Sequence, residues 1–286
     1  MEKSTYGARG YLRLGFEYDG LTGRSILRDW ERRAPMIVQQ ALYFDQNLRQ
    51  IPCVYTLSSG GPTLQGDYSE QIITLGEGAE AHISTGAATK IAPMDRDSAS
   101  FVQRFSLGRG SYLEYLPEVV IPTAGSRLDS LTEIEIDDTA TMFHAEWFLS
   151  GRVHHNGERF LYDRVALEMR VMDNSKRELY CDRGVIAPTR ERVDVKGRMA
   201  GYDIFANILI LLPKEHLERV YERVVPSIDS KRGVALGVLR LPYGRGVICR
   251  VLGRRTVEVK QTIRGLCSIL REEIKGCPLP EEFAWR

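Results

Sequence analysis

Residues 75–83 read LGEGAEAHI, and residues 107–115 read LGRGSYLEY. Both share one pattern: Leu, Gly, any residue, Gly, a small residue, then apolar positions at every second place. Their starts lie 32 residues apart, and a glycine-free version, IDDTATMFH, opens at Ile136, a further 29 residues along. Glycine suits such turns because it takes positive φ without steric cost. A strand, a tight turn and a second strand, recurring at this spacing, is the signature of stacked architectures, in which each unit buries itself against the next.

The same period-two alternation runs outward from these turns. In RVALEMRVMD (164–173), Val165, Leu167, Met169 and Val171 fall on one side, as a half-buried strand requires. Comparable runs stand at 71–75, 80–85, 101–107, 111–116, 132–136 and 139–149, with Gly, Asp and Pro turn signals between them. Helical periodicity is confined to the last third. Leu217, Val220, Tyr221 and Val224 lie at helical spacing after Pro213. Val259, Ile263, Leu266, Leu270 and Ile274 form a second stripe, with Thr256 as the expected cap and Gly276 as the stop. Residues 226–246, between the helices, read as a turn-rich, mobile connection. The expected fold is mainly β: a layered, β-helix-like stack with two helices in the C-terminal third, both packed on the stack. No linker divides the chain, so residues 1–286 read as one domain.

Of the 286 residues, 43% are hydrophobic and 27% charged, as in a soluble globular protein, and the formal net charge is +1. That charge gives no electrostatic case for nucleic acid or an anionic membrane. The first twenty residues lack an apolar signal core, and the longest apolar run, ILILLP after Asn207, is too short to span a bilayer. A cytoplasmic location is expected. The five cysteines, Cys53, Cys181, Cys249, Cys267 and Cys277, form no CxxC pair and read as isolated, mostly buried thiols.

A search for chemistry finds no enzyme motif. No phosphate-binding G-x-x-x-x-G-K-[ST] exists, and the repeat glycines lack the following helix of a dinucleotide site. G-x-S-x-G is absent. His82 lies opposite in phase to Ala81 and Ile83, His144 sits in an aromatic strand, and His216 falls on the charged face of the first helix. The adjacent pair His154-His155 points to opposite faces if in a strand, and so cannot chelate one ion. The carboxylates are more informative. Asp67 follows Gly66 in a turn, and Glu158 lies in HHNGERF. Glu114 alternates with Tyr112 and Leu116, and Glu146 with Met142 and His144. A carboxylate on an apolar strand face must be hydrated or paired. Two readings stay open: a polar seam or channel, or buried salt bridges to Arg or Lys.

Four ordered blocks, GGPTLQGD, ISTGAATK, LEYLPEVVIP and GRVHHNGERF, together with AGYDIFANILILLP and GVICRVLGR, resemble the UreD (UreH) urease accessory protein family over nearly the whole chain. The chain departs from the family's usual pattern at Ser59 and Pro62, at Gly86 and at Ala92. The resemblance implies a non-enzymatic chaperone in assembly of the dinickel centre of urease. It implies a UreF-type partner, a UreG-type GTPase recruited through it, docking on apo-urease, and nickel in transit rather than a tightly bound cofactor. Weak, exchangeable oxygen and imidazole contacts suit such transfer. On this reading Asp67, Glu114, Glu158 and, less directly, His82 line or gate a nickel route. Lys90 and Arg152 anchor loops, Gly60, Gly61, Gly66, Gly151 and Gly157 shape turns, and the C-terminal helix with residues 226–246 presents the partner surface. The rival readings are a β-helix enzyme acting on carbohydrate and a scaffold that binds partners without handling nickel.

Overall fold

The repeat is a set of stacked turns. In a computed structural model, which describes residues 6–280, the amide of Gly108 donates to the Leu75 carbonyl and the amide of Asp137 to the Leu107 carbonyl. Each turn thus hangs from the one before. The first glycine of the motif allows this approach: a Cβ at Gly108 would lie 3.0 Å from the Leu75 carbonyl oxygen. The second takes the left-handed backbone, with φ of +67° at Gly78 and +63° at Gly110. The third turn manages without glycine because the Asp137 carboxylate accepts from the amide and hydroxyl of Thr139, an Asx turn. The Thr139 hydroxyl oxygen in turn accepts from the Gly110 amide, tying this turn to its neighbour.

The chain opens with β1 (Arg9–Asp19), β2 (Arg24–Arg33), β3 (Met36–Val38) and β4 (Cys53–Ser58). Three windings follow. The first is β5 (Tyr68–Leu75), β6 (Glu80–Thr85) and β7 (Thr89–Ile91); the second is β8 (Ala99–Leu107), β9 (Tyr112–Leu116) and β10 (Val120–Pro122). The third is β11 (Arg127–Ile136) and β12 (Thr141–Leu149), after which come β13 (Arg164–Asp173), β14 (Glu178–Ile186) and β15 (Ile204–Leu211). The last part holds α1 (Lys214–Arg223), β16 (Ser227–Asp229), β17 (Val234–Arg240), β18 (Gly246–Gly253) and α2 (Thr256–Lys275).

Among the described residues the strands form two sheets. One runs β14-β13-β11-β8-β5-β1-β2; the other runs β16-β17-β18-β15-β12-β9-β6-β4-β3, with β7 and β10 beside it. The windings pair in parallel, β5 with β8 with β11 and β6 with β9 with β12, and antiparallel hairpins flank them. This is the β-helix-like stack that the repeat predicts. The register repeats residue for residue: Leu75 pairs with Leu107, and Leu107 with Ile136. All three are buried in a core with Phe16, Ile73, Phe105, Ile134 and Val171 between the sheets.

Both helices cover the outer face of the second sheet. Their stripes, Leu217 and Val220 on α1 and Val259, Ile263, Leu266 and Leu270 on α2, bury against Phe143, Trp147, Ile208 and Ile210. α1 is joined to α2 where His216 and Arg219 both meet Glu273. Two local expectations change. Thr256 is the first residue of α2 rather than its cap, which is Arg255, whereas Gly276 ends the helix at φ +74° as expected. Residues 226–246 are not simply turns: they hold β16 and β17, whose alternation is masked by a short, glycine-interrupted run.

Candidate functional site

The stacked register that builds the core also opens a cavity. The inward column Ile73-Phe105-Ile134-Val171 is apolar. The next column is Gln71-Gln103-Thr132-Met169, and the one after is Ser69-Phe101-Ser130-Leu167. Replacing branched aliphatics by Gln and Ser leaves space and polar walls. The result is a cavity of about 540 Å³ whose lining includes Gln71, Gln103, Tyr115 and Glu146. The exposed lining residues, among them Gly60, Gly61, Ala88 and Lys90, place its mouth between residues 58–65 and 86–90.

The cavity lining carries three carboxylate residues, Asp67, Glu118 and Glu146. Glu146 accepts a hydrogen bond from the Asn207 amide at 3.0 Å. Burial raises its pKa to about 7; the Asn207 bond and Arg250 oppose the rise, and Asp182 adds to it. Tyr115 accepts a bond from Gln103 at 2.5 Å and stacks on His144, with ring centroids 5.2 Å apart. The His144 imidazole is fully buried, neither ring nitrogen has a hydrogen-bond partner among the described residues, and burial pushes its pKa down to about 3. An aromatic layer of Phe105, Tyr115 and His144 thus stands between the cavity and the aliphatic core.

The four candidate residues are not brought together. Asp67 lines the cavity, but both carboxylate oxygens are engaged by backbone: one accepts from the Ala8 amide at 2.7 Å, the other from the Leu64 amide at 2.8 Å. Glu158 is 5% exposed and paired with Arg152 at 2.6 Å, while its other oxygen accepts from the Ala124 amide. Glu114 and His82 lie on the far face of the second sheet, under α2. There His82 Nδ1 meets Glu114 at 2.7 Å, the Tyr112 hydroxyl donates to Glu114 at 2.6 Å, and Arg271 of α2 bridges Glu114 and Asp45. Burial would raise the Glu114 carboxyl, but His82, Arg271 and Tyr112 together hold it below its ordinary value. The two open readings of the strand-face carboxylates therefore divide: Glu114 is a buried ion pair, and Glu146 faces the cavity. Strand parity was the available signal, because Glu146 shares a face with Met142 and His144 and opposes the helix-packing Phe143 and Trp147.

The expected anchors differ in kind. Arg152 pairs with Glu158 across its own loop. Lys90 is exposed at the cavity mouth. Gly66 at φ +80° and Gly151 at φ +140° are required by geometry: a Cβ would meet the Tyr6 carbonyl oxygen at 2.8 Å and the Glu158 carbonyl oxygen at 2.6 Å, respectively. Gly157 takes φ +67°. Gly60 and Gly61 lie in a bend of the mouth, where a Cβ has room. His154 and His155 sit in an exposed turn rather than a strand. Among the described residues no three His, Cys, Asp or Glu side chains are placed to hold a metal ion. Among them, too, no helix is long and apolar enough to cross a membrane.

A β-helix-like stack with a helical cover and an internal cavity that polar side chains enter defines the class of protein. The sequence matches the family described as UreD urease accessory protein over residues 8–286. It is 40% identical over 287 residues to the urease accessory protein UreD of Photorhabdus laumondii, covering 100% of this chain and 89% of that one. A similar match, at 40% identity and the same coverage, is to the UreD of Yersinia pseudotuberculosis. The urease accessory protein UreD 2 of Brucella suis is 37% identical over 282 residues, 98% of this chain and 93% of that one. The chain belongs to the UreD family of urease accessory proteins.

Proposed function

We propose that this chain serves urease maturation as a scaffold whose internal cavity passes nickel towards the apo-enzyme, in a complex with a UreF-type protein and, through it, a UreG-type GTPase. The observation that carries this reading is the cavity itself, a chamber among apolar walls into which Gln71, Gln103, Tyr115 and Glu146 bring polar groups, with Asp67 and Glu118 also in its lining. Nickel accepts carboxylate, amide oxygen, imidazole and water, and Gln71, Gln103, Tyr115 and Glu146 supply oxygen donors without forming a closed ligand set. A closed set would retain the ion instead of releasing it. Asp67 serves the route by shaping its mouth through the Ala8 and Leu64 amides. Glu158 and Glu114 serve it from outside the cavity as anchors of the surrounding loops and helix. The exposed Val225, Ile228 and Leu239, beside the helical cover, suit an apolar partner surface.

The test is co-expression of urease with Glu146→Gln. Urease nickel content is expected to fall several-fold while the variant still co-purifies with its partners. Because the Glu146 carboxyl titrates near pH 7, loading by the unsubstituted chain is expected to rise with pH between about 6 and 8, and loading by Glu146→Gln to stay flat. Full nickel occupancy with Glu146→Gln rules out the carboxylate as a transfer contact.

A further inference from the structure

The two sheets do not end together. The Asp182 carboxylate of β14 meets Arg250 of β18 at 2.7 Å, which sets the last strand of the first sheet over β18. The second sheet continues past it by two more strands, β17 and β16. Ala235, Gly237 and Leu239 of β17 share a face with Leu252, Arg250 and Ile248 of β18, and Ile228 of β16 lies opposite Ala235. Ile248 belongs to the core between the sheets, so this is the inner face of the second sheet, laid bare. Leu239 is 64% exposed there and Ile228 78%. The molecule thus has a step, one sheet layer or about 10 Å deep, with an apolar floor. Its wall is the backbone edge of β14, which among the described residues pairs with no strand on that side.

Proteins commonly blunt an edge strand with charge. β2, at the other end of the first sheet, carries Arg28, Asp29, Glu31, Arg32 and Arg33. β14 instead finishes in Gly184, Val185 and Ile186, and a Cβ at Gly184 would meet nothing within 4 Å. With the exposed Gly237 on the floor, this leaves a recess for large side chains.

Wall and floor both end in positive charge. β14 runs into residues 187–203, and the turn 230–233 joins β16 to β17. These segments meet where the Arg254 amide donates to the Gly233 carbonyl and the Arg254 guanidinium lies over the Tyr202 ring. Arg190, Arg192, Lys196, Lys231, Arg232 and Arg254 are all exposed here. The acids of the same segments are already engaged: Glu191 with Arg198, Asp194 and Asp203 with Arg159, and Asp229 with the amides of its own turn. A second copy of the chain does not suit the step. The two-fold axis that would interlock two such steps runs along the strands, so it would press one basic end against the other.

We propose that the step is a docking site for an extended, acidic-ended segment of a partner protein, which adds to β14 as an antiparallel strand. Main-chain hydrogen bonds to the β14 edge hold the segment, and its inward side chains, large and apolar, cover Ala235, Gly237 and Leu239. Because β14 runs towards the basic end, an antiparallel neighbour begins there, so the acidic residues lie at the start of the segment. The inference rests on the reading of Ile228 and Leu239 as partner-facing and is independent of the nickel passage.

The test uses the full chain with neither nickel nor urease present, so its failure is distinguishable from failure of the nickel reading. The probe is a fluorescein-labelled synthetic peptide, Glu-Glu-Glu-Gly-Leu-Thr-Val-Thr-Val-Thr, followed by fluorescence anisotropy. Saturable binding is expected, at least tenfold weaker for Leu239→Asp and, independently, for Arg192→Glu combined with Lys231→Glu. A peptide with alternate amides N-methylated, unable to pair with an edge, is expected to lose at least tenfold. Hydrogen exchange with the unmodified peptide bound should slow amides within 181–185. Binding no tighter than that of a scrambled peptide overturns the proposal. So does binding indifferent to N-methylation without protection of β14, which would be attraction by charge alone. A uridine decamer that binds more tightly than the peptide, and is lost with the same charge reversals, would assign the basic end to nucleic acid and overturn it as well. The substituted positions are exposed, and circular dichroism establishes that each variant is folded.

Discussion

At the residue scale, the cavity wall and the core behind it meet at His144. Its ring does the packing of an aromatic, stacked on Tyr115 and edge-on to Phe105, yet neither of its nitrogens has a hydrogen-bond partner among the described residues. The consequence is a sensitivity to acid. In the unfolded chain this imidazole takes up a proton near pH 6.5, whereas in the folded chain burial defers that to about pH 3. The folded pKa is depressed, so the unfolded state binds more protons across that window, and stability is lost as pH falls through it. At about 1.4 kcal/mol per tenfold change in proton affinity, the loss approaches roughly 4 to 5 kcal/mol. His144→Phe keeps the stacking and removes the titration. Its urea midpoint is expected to fall much less between pH 7.5 and 4.5 than that of the unsubstituted chain; parallel declines would remove His144 as the cause.

At the scale of elements, α2 is held by more than its apolar stripe. Arg271, one of the largest buried side chains, reaches through the helix–sheet layer to Asp45 and Glu114, and Glu114 takes His82 and Tyr112 besides. A buried ion pair is weak evidence of stability in itself, but removing one partner strands the others. Arg271→Met leaves two buried carboxylates without their cation and is expected to cost about 3 to 5 kcal/mol, read as a fall of the denaturation midpoint. Arg271→Met combined with Asp45→Asn and Glu114→Gln should recover a large part of that loss. A midpoint unchanged by Arg271→Met would show the network to be dispensable. This clamp was only half legible in the sequence. The phase of Glu114 opposite to Leu113 and Tyr115 set it on a different face from the strand interior, but its cation lies 157 residues downstream on a helix. Nothing local to either residue announces the pairing.

The whole molecule was far more legible than its site. The repeat starts at Leu75, Leu107 and Ile136 became stacked partners because one side-chain period and one turn length recur in each winding. The strand read at 80–85 is the observed β6. Legibility fails where the pattern serves two layers at once. The cavity needed Gln71 and Gln103 to fall in one interior column, a fact of register between windings rather than of either strand. The stack also makes its members interdependent. Leu107, 2% exposed between Leu75 and Ile136, touches the windings on both sides. Leu107→Ala is expected to cost about 3 to 4 kcal/mol in global unfolding. Hydrogen exchange should show β5, β8 and β11 losing protection together; loss confined to β8 would contradict a cooperative stack.

The hanging turns also set an order of assembly in time. Each turn amide needs the carbonyl of the preceding winding as its acceptor, from Leu75 to Gly108 and from Leu107 to Asp137. On a ribosome those carbonyls emerge first, and at roughly 5 to 20 residues per second each new winding is delivered within seconds of the one that templates it. α2, whose Arg271 closes over Asp45 and Glu114, arrives last. Until then the outer face of the second sheet has at most α1 over it, so the interval between the third winding and the final helix is when the nascent chain most needs protection from other sheets.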